Sequence, residues 1–282
     1  MKKFHGVTFV AAILGMALAF SSCTSESGKP SQNSPNNTSE TVEDVIAVVG
    51  DFGIASRKQR AVSNLVAQFD PDFVLTVGDN RYKKQFGYQR LVGNYYPQTV
   101  VAAVGNHDYE YGIRYFDRYF GTTYRTRNFV YSAKSGIDFF ILDSTMGLKS
   151  TPARRAQKAW LKLELLNSKA DFKVVVLHHP PFSSSKHGST KLYQWDFGSL
   201  GANLVLSGHD HTYERIARGG TTFVVDGVGG APLYKCKKRV GGSRICLDKS
   251  YGALFLYPND HEVRGVFRSM SGRTLDTFSL SR

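Results

Sequence analysis

The stretch that decides the fold is Val74-Leu-Thr-Val-Gly-Asp-Asn-Arg-Tyr82. Its apolar start is rich in β-branched residues and ends at a glycine, a pattern typical of a buried strand followed by a loop. In open α/β sheets, ligands collect just beyond the carboxyl ends of the strands. Asp79 lies at such an end, so we expect it to bridge two metal ions whose other ligands come from neighbouring loops.

Strands and helices alternate along the first two thirds of the chain, and strands dominate the rest. Apolar runs predict strands at residues 45–49, 73–77, 100–104, 128–132, 137–143, 173–177, 204–206, 221–225, 253–257, 263–267 and 274–280. Amphipathic patterns predict helices at 56–69, capped by Ser56, and at 151–168, capped by Thr151. The core candidates of the second helix are Trp160, Leu163 and Leu166. This order of elements predicts one layered α/β domain with mixed sheets.

The first residues have the pattern of an export signal. Lys2 and Lys3 precede an apolar run that ends at Phe20, and two small residues then lead to Cys23. This run is too short for a comfortable transmembrane helix. We therefore predict a signal peptide over residues 1–22.

The three cysteines fit an exported protein. Cys23 either carries a lipid, as in bacterial lipoproteins, or is incidental in a plainly secreted protein. We expect the lipid, and so a membrane-anchored protein of the periplasm or cell surface. A flexible tether rich in Ser, Asn, Thr and Pro fills residues 23–42, before the folded domain at 43–282. In an oxidising compartment, Cys236 and Cys246 are expected to form a disulfide, with two free thiols as the alternative.

The composition is that of a soluble globular protein with a basic surface. The formal net charge is +13, or +11 without Lys2 and Lys3. Such a surface favours phosphorylated molecules, nucleic acid or an acidic membrane face, but an unspecific solvated surface fits equally well. Because the basic residues are scattered, with no basic face interleaved with aromatic residues, we do not expect nucleic acid as a partner.

Metal-binding side chains follow five of the predicted strands. They are Asp51, Asp79, Asn106, His178, and His209 with His211. Six of the eight histidines lie in or beside these loops, although any single histidine is more often a surface or core residue. Carboxylate, imidazole and amide oxygen suit Fe, Zn and Mn, and a pair of such ions can bind a phosphoryl group and activate water.

Other hydrolytic chemistries lack their motifs. The sequence has no Gly-x-Ser-x-Gly nucleophile elbow and no Gly-x-x-x-x-Gly-Lys-Ser/Thr phosphate loop. Ser183, Ser184 and Ser185 form a run that could supply a nucleophile, but a polar loop is the simpler interpretation.

Five motifs resemble, in their order, the metallophosphoesterase superfamily and in particular the purple acid phosphatases. They are Gly50-Asp51-Phe52-Gly53, Gly78-Asp79-Asn80-Arg81-Tyr82, Gly105-Asn106-His107-Asp108, Val175-Val176-Leu177-His178 and Gly208-His209-Asp210-His211. The resemblance covers nearly all of residues 45–215. It implies a four-layer αββα sandwich with two mixed β-sheets, of the compact single-domain type similar to tartrate-resistant acid phosphatase.

The resemblance also implies a role for each residue. A ferric ion would be held by Asp51, Tyr82 and His211, with Asp79 as the bridge. A second ion, Fe, Zn or Mn, would be held by Asn106, His178 and His209. His107 and His187 match positions that contact the phosphate and help to protonate the leaving group.

Three departures from the superfamily pattern bear on this assignment. Gly53 stands where many members have a histidine ligand, and Tyr82 supplies the missing ligand as in purple acid phosphatases. His179 has no family role, and alternation along an extended segment predicts that it faces away from the metals. The loops at 83–96 and 235–244 match nothing in the family, and either shape substrate access or are ordinary surface.

The expected activity is that of an acid phosphatase, which hydrolyses phosphate monoesters with a metal-bound hydroxide as nucleophile. A phosphodiesterase acting on cyclic nucleotides or lipid head groups is the nearest rival. A catalytically inactive protein that binds a phosphorylated ligand, and a redox role for an iron pair, are further alternatives. We expect a small phosphorylated substrate and a monomer.

Overall fold

Two β-sheets lie face to face between helices in the computed structural model of the chain, which describes residues 44–123 and 127–282. The signal peptide, the tether and Cys23 predicted above lie outside the described residues. The described residues belong to one compact unit, Val42–Arg282. None of the helices within these two ranges is long and apolar enough to cross a membrane.

The helices and strands follow the predicted alternation. The helices are α1 (Arg57–Gln68), α2 (Asn106–Glu110), α3 (Ile113–Phe120), α4 (Ser144–Lys149) and α5 (Thr151–Asn167). The strands are β1 (Ile46–Val49), β2 (Phe73–Thr76), β3 (Thr99–Ala102), β4 (Phe129–Ser132), β5 (Ile137–Leu142), β6 (Phe172–Leu177), β7 (Leu204–Ser207), β8 (Tyr213–Arg218), β9 (Thr221–Asp226), β10 (Ser243–Leu247), β11 (Gly252–Pro258), β12 (Glu262–Ser269) and β13 (Thr274–Ser281).

Both sheets are mixed, as predicted. The first has the strand order β13-β12-β11-β1-β2-β3, and the second has the order β10-β8-β9-β7-β6-β5-β4. The pairs β1–β2, β2–β3, β5–β6, β6–β7 and β7–β9 are parallel, whereas the other neighbouring strands pair antiparallel. The carboxyl ends of the parallel strands in each sheet therefore meet at one edge, where the predicted ligands follow.

Alternation along the central strands creates three apolar layers. Ile46 and Val48 of β1 belong to the core between the sheets, whereas Ala47 and Val49 pack with α1 on the outer face of the first sheet. The same alternation along β6 divides its residues between the inner core and the core beneath α5. The four-layer αββα sandwich is thereby confirmed.

The predicted buried face of the long helix α5 is right for Trp160, which is partly buried against the core, and wrong for the two leucines. Leu163 and Leu166 are 54% and 73% exposed, and the helix instead buries Leu161 and Leu165 together with Gln157. Gln157 donates to the Asp143 carbonyl at 2.6 Å and accepts from the Tyr193 hydroxyl at 2.6 Å. A satisfied polar side chain therefore faces the core, which an apolar pattern alone does not reveal.

The N-terminus of the same helix also differs from the prediction. Ser150 is the N-cap, since its hydroxyl accepts from the backbone N–H of Ala153 at 3.3 Å. Thr151 is already the first helical residue, and Pro152 is the second. Both positions suit residues of their type, because the first turn of a helix leaves its N–H groups without helical partners.

The C-terminal part contains two strands that the apolar pattern did not predict. Strand β8 directly follows the last motif, and β10 pairs with its outer edge. Cys236 and Cys246 form the predicted disulfide, which ties β10 to the basic loop before it.

Candidate metal centre

The seven predicted metal ligands follow the ends of five strands. Asp51 follows β1, Asp79 and Tyr82 follow β2, and Asn106 follows β3. From the second sheet, His178 comes directly after β6, and His209 and His211 come after β7. One oxygen each of Asp51 and Asp79 and one ring nitrogen of His178 lie within 4.8 Å of one another. The fold thus brings together residues that are more than a hundred positions apart in the chain.

Three of these residues have an unusual backbone conformation. Asp51 and Asp79 have φ of 54°, and His209 has φ of 69°. These values lie in the left-handed backbone region, which residues other than glycine rarely adopt. Each such residue costs about 1–3 kcal/mol, so the surrounding loops must stabilise this conformation. Strain of this kind concentrates at functional sites, and here it falls on three of the predicted ligands.

Four side chains converge at the first candidate metal position. The Tyr82 hydroxyl oxygen lies 2.8 Å from Asp51 Oδ1, 2.9 Å from Asp79 Oδ2 and 3.0 Å from His211 Nε2. The His211 nitrogen is also 3.3 Å from Asp51 Oδ1. We call Asp51, Asp79, Tyr82 and His211 together the first position.

The second candidate position is centred on His178. Its Nε2 lies 3.1 Å from Asn106 Oδ1 and 3.3 Å from Asp79 Oδ2. The His209 ring packs against His178 with ring centroids 5.1 Å apart. Asn106, His178 and His209 form the second position, and Asp79 contacts groups of both positions as predicted for a bridge.

Two of the histidines are oriented by backbone carbonyls. His178 Nδ1 lies 2.9 Å from the Val77 carbonyl, and His211 Nδ1 lies 2.7 Å from the Pro232 carbonyl. A carbonyl only accepts, so each Nδ1 carries the hydrogen and donates it. In the neutral ring, Nε2 then presents its lone pair to the centre, which is the usual arrangement of a metal-binding histidine.

The electrostatics of the centre favour a cation. Burial raises the pKa of the Asp79 carboxyl, but His178 and then His107 outweigh burial, so the net shift is downward. Burial lowers the pKa of His178, but the Asp79 carboxylate outweighs burial and raises the pKa to about 9. For Tyr82, burial and then the carboxylates of Asp51 and Asp79 raise the pKa well above its ordinary value.

The donor set therefore fits a metal ion. The Tyr82 hydroxyl has one hydrogen, but two carboxylate oxygens and one imidazole nitrogen surround its oxygen at hydrogen-bond distance. One hydrogen satisfies only one of these acceptors, whereas a cation would satisfy all of them. Carboxylate, phenolate and imidazole together suit a hard or borderline ion such as iron.

Gly53 is required by close contact between two loops. A Cβ on Gly53 would collide with the Asn80 carbonyl, and the backbone N–H of Tyr82 donates to the Gly53 carbonyl at 2.7 Å. The loop that carries Asp51 therefore lies directly on the loop that carries Tyr82. Glycine at this position permits the approach that brings the phenol to the first position.

The two predicted acid–base residues pack against candidate ligands of different positions. The His107 ring packs on Tyr82 with centroids 4.4 Å apart, and its Nε2 is 4.0 Å from Asp79 Oδ2. The exposed His187 ring packs on His209 with centroids 4.4 Å apart. Burial, and then the charge of Lys186, lower the pKa of His187 although Asp210 opposes them. Both imidazoles thus lie beside the candidate ligands, one next to Tyr82 and the other next to His209.

The expected direction of His179 is wrong. The chain bends directly after β6, so the alternation of an extended strand does not continue through residues 178 and 179. The His179 ring packs against His209 with centroids 4.4 Å apart, and its Nδ1 lies 2.9 Å from the Ser144 hydroxyl. His179 therefore contacts a candidate ligand from the side, and Ser144 fixes its ring.

Two acids that received no role from the sequence join the loops of the centre. Asp108 accepts from the Gly105 N–H at 2.8 Å and from the Asn80 side chain at 3.0 Å. Asp210 accepts from the His187 N–H at 2.8 Å. Both acids are buried and belong to the quoted motifs, where Asp108 follows His107 and Asp210 lies between His209 and His211, so a position next to a motif histidine was the available signal.

The run of three serines is confirmed as a polar loop. The Ser183 hydroxyl donates to Asp210, and the Ser184 hydroxyl donates to Glu214 at 2.6 Å. All three serines are buried. Their hydroxyl groups are engaged in holding the segment that precedes His187.

Comparison with known proteins assigns the family. The family model described as calcineurin-like phosphoesterase matches residues 45–213, which include all five motifs. The chain belongs to the calcineurin-like phosphoesterase family. The match covers more than half of the sequence.

Curated relatives within this family are acid phosphatases. The chain is 25% identical to tartrate-resistant acid phosphatase type 5 of Oryctolagus cuniculus, over 64% of this chain and 71% of that protein. It is 27% identical to purple acid phosphatase 17 of Arabidopsis thaliana, over 60% of this chain and 63% of that protein. The match to the plant protein thus spans slightly less than two thirds of its length.

Solved structures share the fold. A purple acid phosphatase from yellow lupin, PPD1, superposes with a TM-score of 0.65 at 19% identity, over 85% of this chain and 54% of that one. GAP50 of Plasmodium, described as the anchor in the inner membrane complex, superposes with a TM-score of 0.73 at 17% identity, over 85% and 89%. At these identities the likeness establishes the sandwich fold, which is common to an enzyme and an anchor.

Proposed function

We propose that the chain is an acid phosphatase that hydrolyses phosphate monoesters at a dinuclear metal centre. The observation that supports this most strongly is the convergence of Asp51, Asp79 and His211 on the Tyr82 hydroxyl at 2.8–3.0 Å. Together with the family membership, it supports a ferric ion at the first position and Fe, Zn or Mn at the second. Two bound ions would polarise the phosphoryl oxygens and activate water for in-line attack.

The remaining chemistry belongs to residues of this chain. Asp79 joins the two positions, and its buried carboxylate holds them close together. His107 packs against Tyr82 and His187 packs against His209, so either could contact a phosphoryl oxygen bound at the centre. The protonated ring of one of them gives its proton to the departing alcohol, because an alkoxide is a poor leaving group.

The test compares a monoester with a diester of the same alcohol. Release of phenol from phenyl phosphate and diphenyl phosphate is measured between pH 4 and 8 with protein reconstituted with iron and zinc. We expect faster release from the monoester, loss of activity with a chelator, and recovery when metal is returned. Preference for the diester would indicate a phosphodiesterase, and full metal content without hydrolysis of either ester would indicate a binding protein.

We also infer that the chain is exported and anchored through a lipid on Cys23. The disulfide between Cys236 and Cys246 supports an oxidising compartment, since such bonds are rare in reducing cytosol. Mass spectrometry of the mature N-terminus is the test, and a lipidated Cys23 as the first residue is the expected result. A chain that still begins at Met1 would contradict export by this signal.

A further inference from the structure

A tyrosine and a lysine extend the candidate centre on one side. The Tyr234 ring stacks on His211 with centroids 4.1 Å apart and planes 12° from parallel, and it faces His187 at 5.4 Å. The ammonium of Lys186 lies 4.5 Å from the centroid of the Tyr234 ring. The Lys186 ammonium and His211, a candidate ligand of the first position, therefore contact the same aromatic ring.

The disulfide-closed basic loop brings a second cation to the same place. Its backbone is fixed to the serine segment, because the Lys237 N–H donates to the Ser184 carbonyl at 2.6 Å and the Val240 N–H donates to the Ser184 hydroxyl at 2.9 Å. The Lys237 ammonium donates to the Lys186 carbonyl at 3.2 Å. The basic loop thus lies against the segment that carries His187, and Lys237 reaches over it.

The charge in this region is not balanced within the described part of the chain. Residues 235–249 contain six lysines and arginines but a single acidic residue, Asp248. Asp248 pairs with Lys235 at 3.9 Å, and among the described residues no carboxylate lies within ion-pair distance of Lys186 or Lys237. Both are exposed and have the same charge, so an anion between them would relieve their repulsion.

We propose that Lys186, Lys237 and Tyr234 form a leaving-group subsite for phosphoesters whose alcohol carries a second anionic group, such as a phosphate. The proposal rests on the proposed phosphatase function. The scissile phosphate would occupy the metal centre, and the alcohol would extend past His187 to Lys186, Lys237 and Tyr234, which we call the rim. The second anion would then lie near the two ammonium groups, while Tyr234 forms the floor between rim and centre.

The test uses two substrates that differ only in the second phosphate. The values of kcat/KM for propyl phosphate and for propane-1,3-diyl bisphosphate are compared in the wild type and in the double variant Lys186→Gln/Lys237→Gln. We expect the wild type to prefer the bisphosphate. The preference should fall by up to about fivefold for each lysine removed, because an exposed ion pair contributes up to about 1 kcal/mol, which is about fivefold in affinity.

A matched variant separates local recognition from net charge. Arg155→Gln/Lys162→Gln removes the same charge from the exposed face of α5 and should leave the preference unchanged. An unchanged preference in the rim variant, or an equal loss in the α5 variant, would overturn the proposal. If the metal-loaded wild type hydrolyses neither substrate, the phosphatase function fails. Calorimetric binding of the bisphosphate then decides the subsite, with weaker binding by the rim variant as the expected result and equal binding as the contrary one.

Discussion

The first and second metal positions differ in how their side chains are joined. At the first position, Asp51, Asp79 and His211 all lie within hydrogen-bond distance of one phenol oxygen. At the second, His178 contacts Asn106 and Asp79, whereas the His209 ring packs against the ring of His178. The backbone N–H of His209 donates to Asp51 at 2.9 Å.

This difference indicates which part of the centre is preorganised. The first position is fixed by contacts among its own groups, and the loop contact at Gly53 holds it in place. The second position is completed by rings that pack on one another, so a bound ion would order it further. We therefore expect tighter metal binding at the first position than at the second, and the following variants test that difference.

The largest effect is expected for Asp79→Asn, since Asp79 belongs to both positions. An amide has only one oxygen and no charge, so it cannot hold two cations together. Loss of groups that merely support a ligand costs about 10–100-fold in metal affinity or activity. We therefore expect Asp79→Asn to lower kcat by more than about a hundredfold and to reduce the metal content at both positions, as measured by elemental analysis. Retention of both ions with nearly normal kcat would show that Asp79 is not the bridge.

Tyr82→Phe should affect the first position alone. Removing the phenol oxygen removes the group around which Asp51, Asp79 and His211 converge. We expect about 10–100-fold weaker binding of the first ion. A visible absorption band from phenolate on ferric iron should be present in the wild type and absent in the variant. A colourless wild type that holds only zinc or manganese would contradict the ferric assignment, and loss of both ions in the variant would contradict the separation of the positions.

Ser144→Ala should affect the second position alone, and more weakly. Ser144 holds the His179 ring, which in turn packs on His209. We expect roughly tenfold weaker binding of the second ion, at the lower limit for groups that orient a ligand. The control is Ser63→Ala on α1, where another buried hydroxyl donates to the Arg60 carbonyl. Equal effects of the two substitutions on metal binding would exclude a positioning role for Ser144.

The smallest effect concerns stability and not the metals. Asp226 at the end of β9 is buried, and burial, then the Asp51 charge, raise its pKa well above the ordinary value although the Leu254 N–H opposes them. The folded chain therefore binds this proton more tightly than the unfolded chain does. The resulting stabilisation is complete below about pH 4 and is lost as the pH rises from there towards the raised pKa.

The substitution Asp226→Asn removes this titration and tests whether the pKa of Asp226 is raised in the folded chain. Thermal unfolding from pH 4 to 8 should show the variant gaining stability relative to the wild type as the pH rises, by about 1 kcal/mol or more. A stability difference between variant and wild type that stays constant across this pH range would contradict the raised pKa of Asp226. Metal content at both positions should be unchanged.

Much of the centre could be predicted because its ligands follow buried strands. Apolar runs that end in glycine locate Asp51, Asp79, Asn106 and His209 without reference to the fold, and parallel pairing then brings them together. Groups that act through the backbone or through packing leave no such signal. The Pro232 carbonyl that orients His211 and the Tyr234 ring that covers it were therefore missed.

Parts of the fold that depend on such distant contacts were also missed. Eleven strands were predicted close to their observed bounds, because burial produces apolar runs, but β8 and β10 were missed. Leu163 and Leu166 were wrongly assigned to the buried face of α5, because Gln157 lies in the core through two hydrogen bonds that depend on residues distant in the sequence. The bend after Leu177 likewise turned His179 towards His209, where strand alternation predicted the opposite direction.

Elemental analysis of the purified chain during stepwise chelation can decide whether the seven side chains form one centre for two metal ions with unequal affinities. We expect two ions per chain, with the first equivalent released from the position of His178 and His209 while the Tyr82-dependent visible band persists. Binding of a single ion, or loss of the visible band with the first equivalent released, would rule out such a centre.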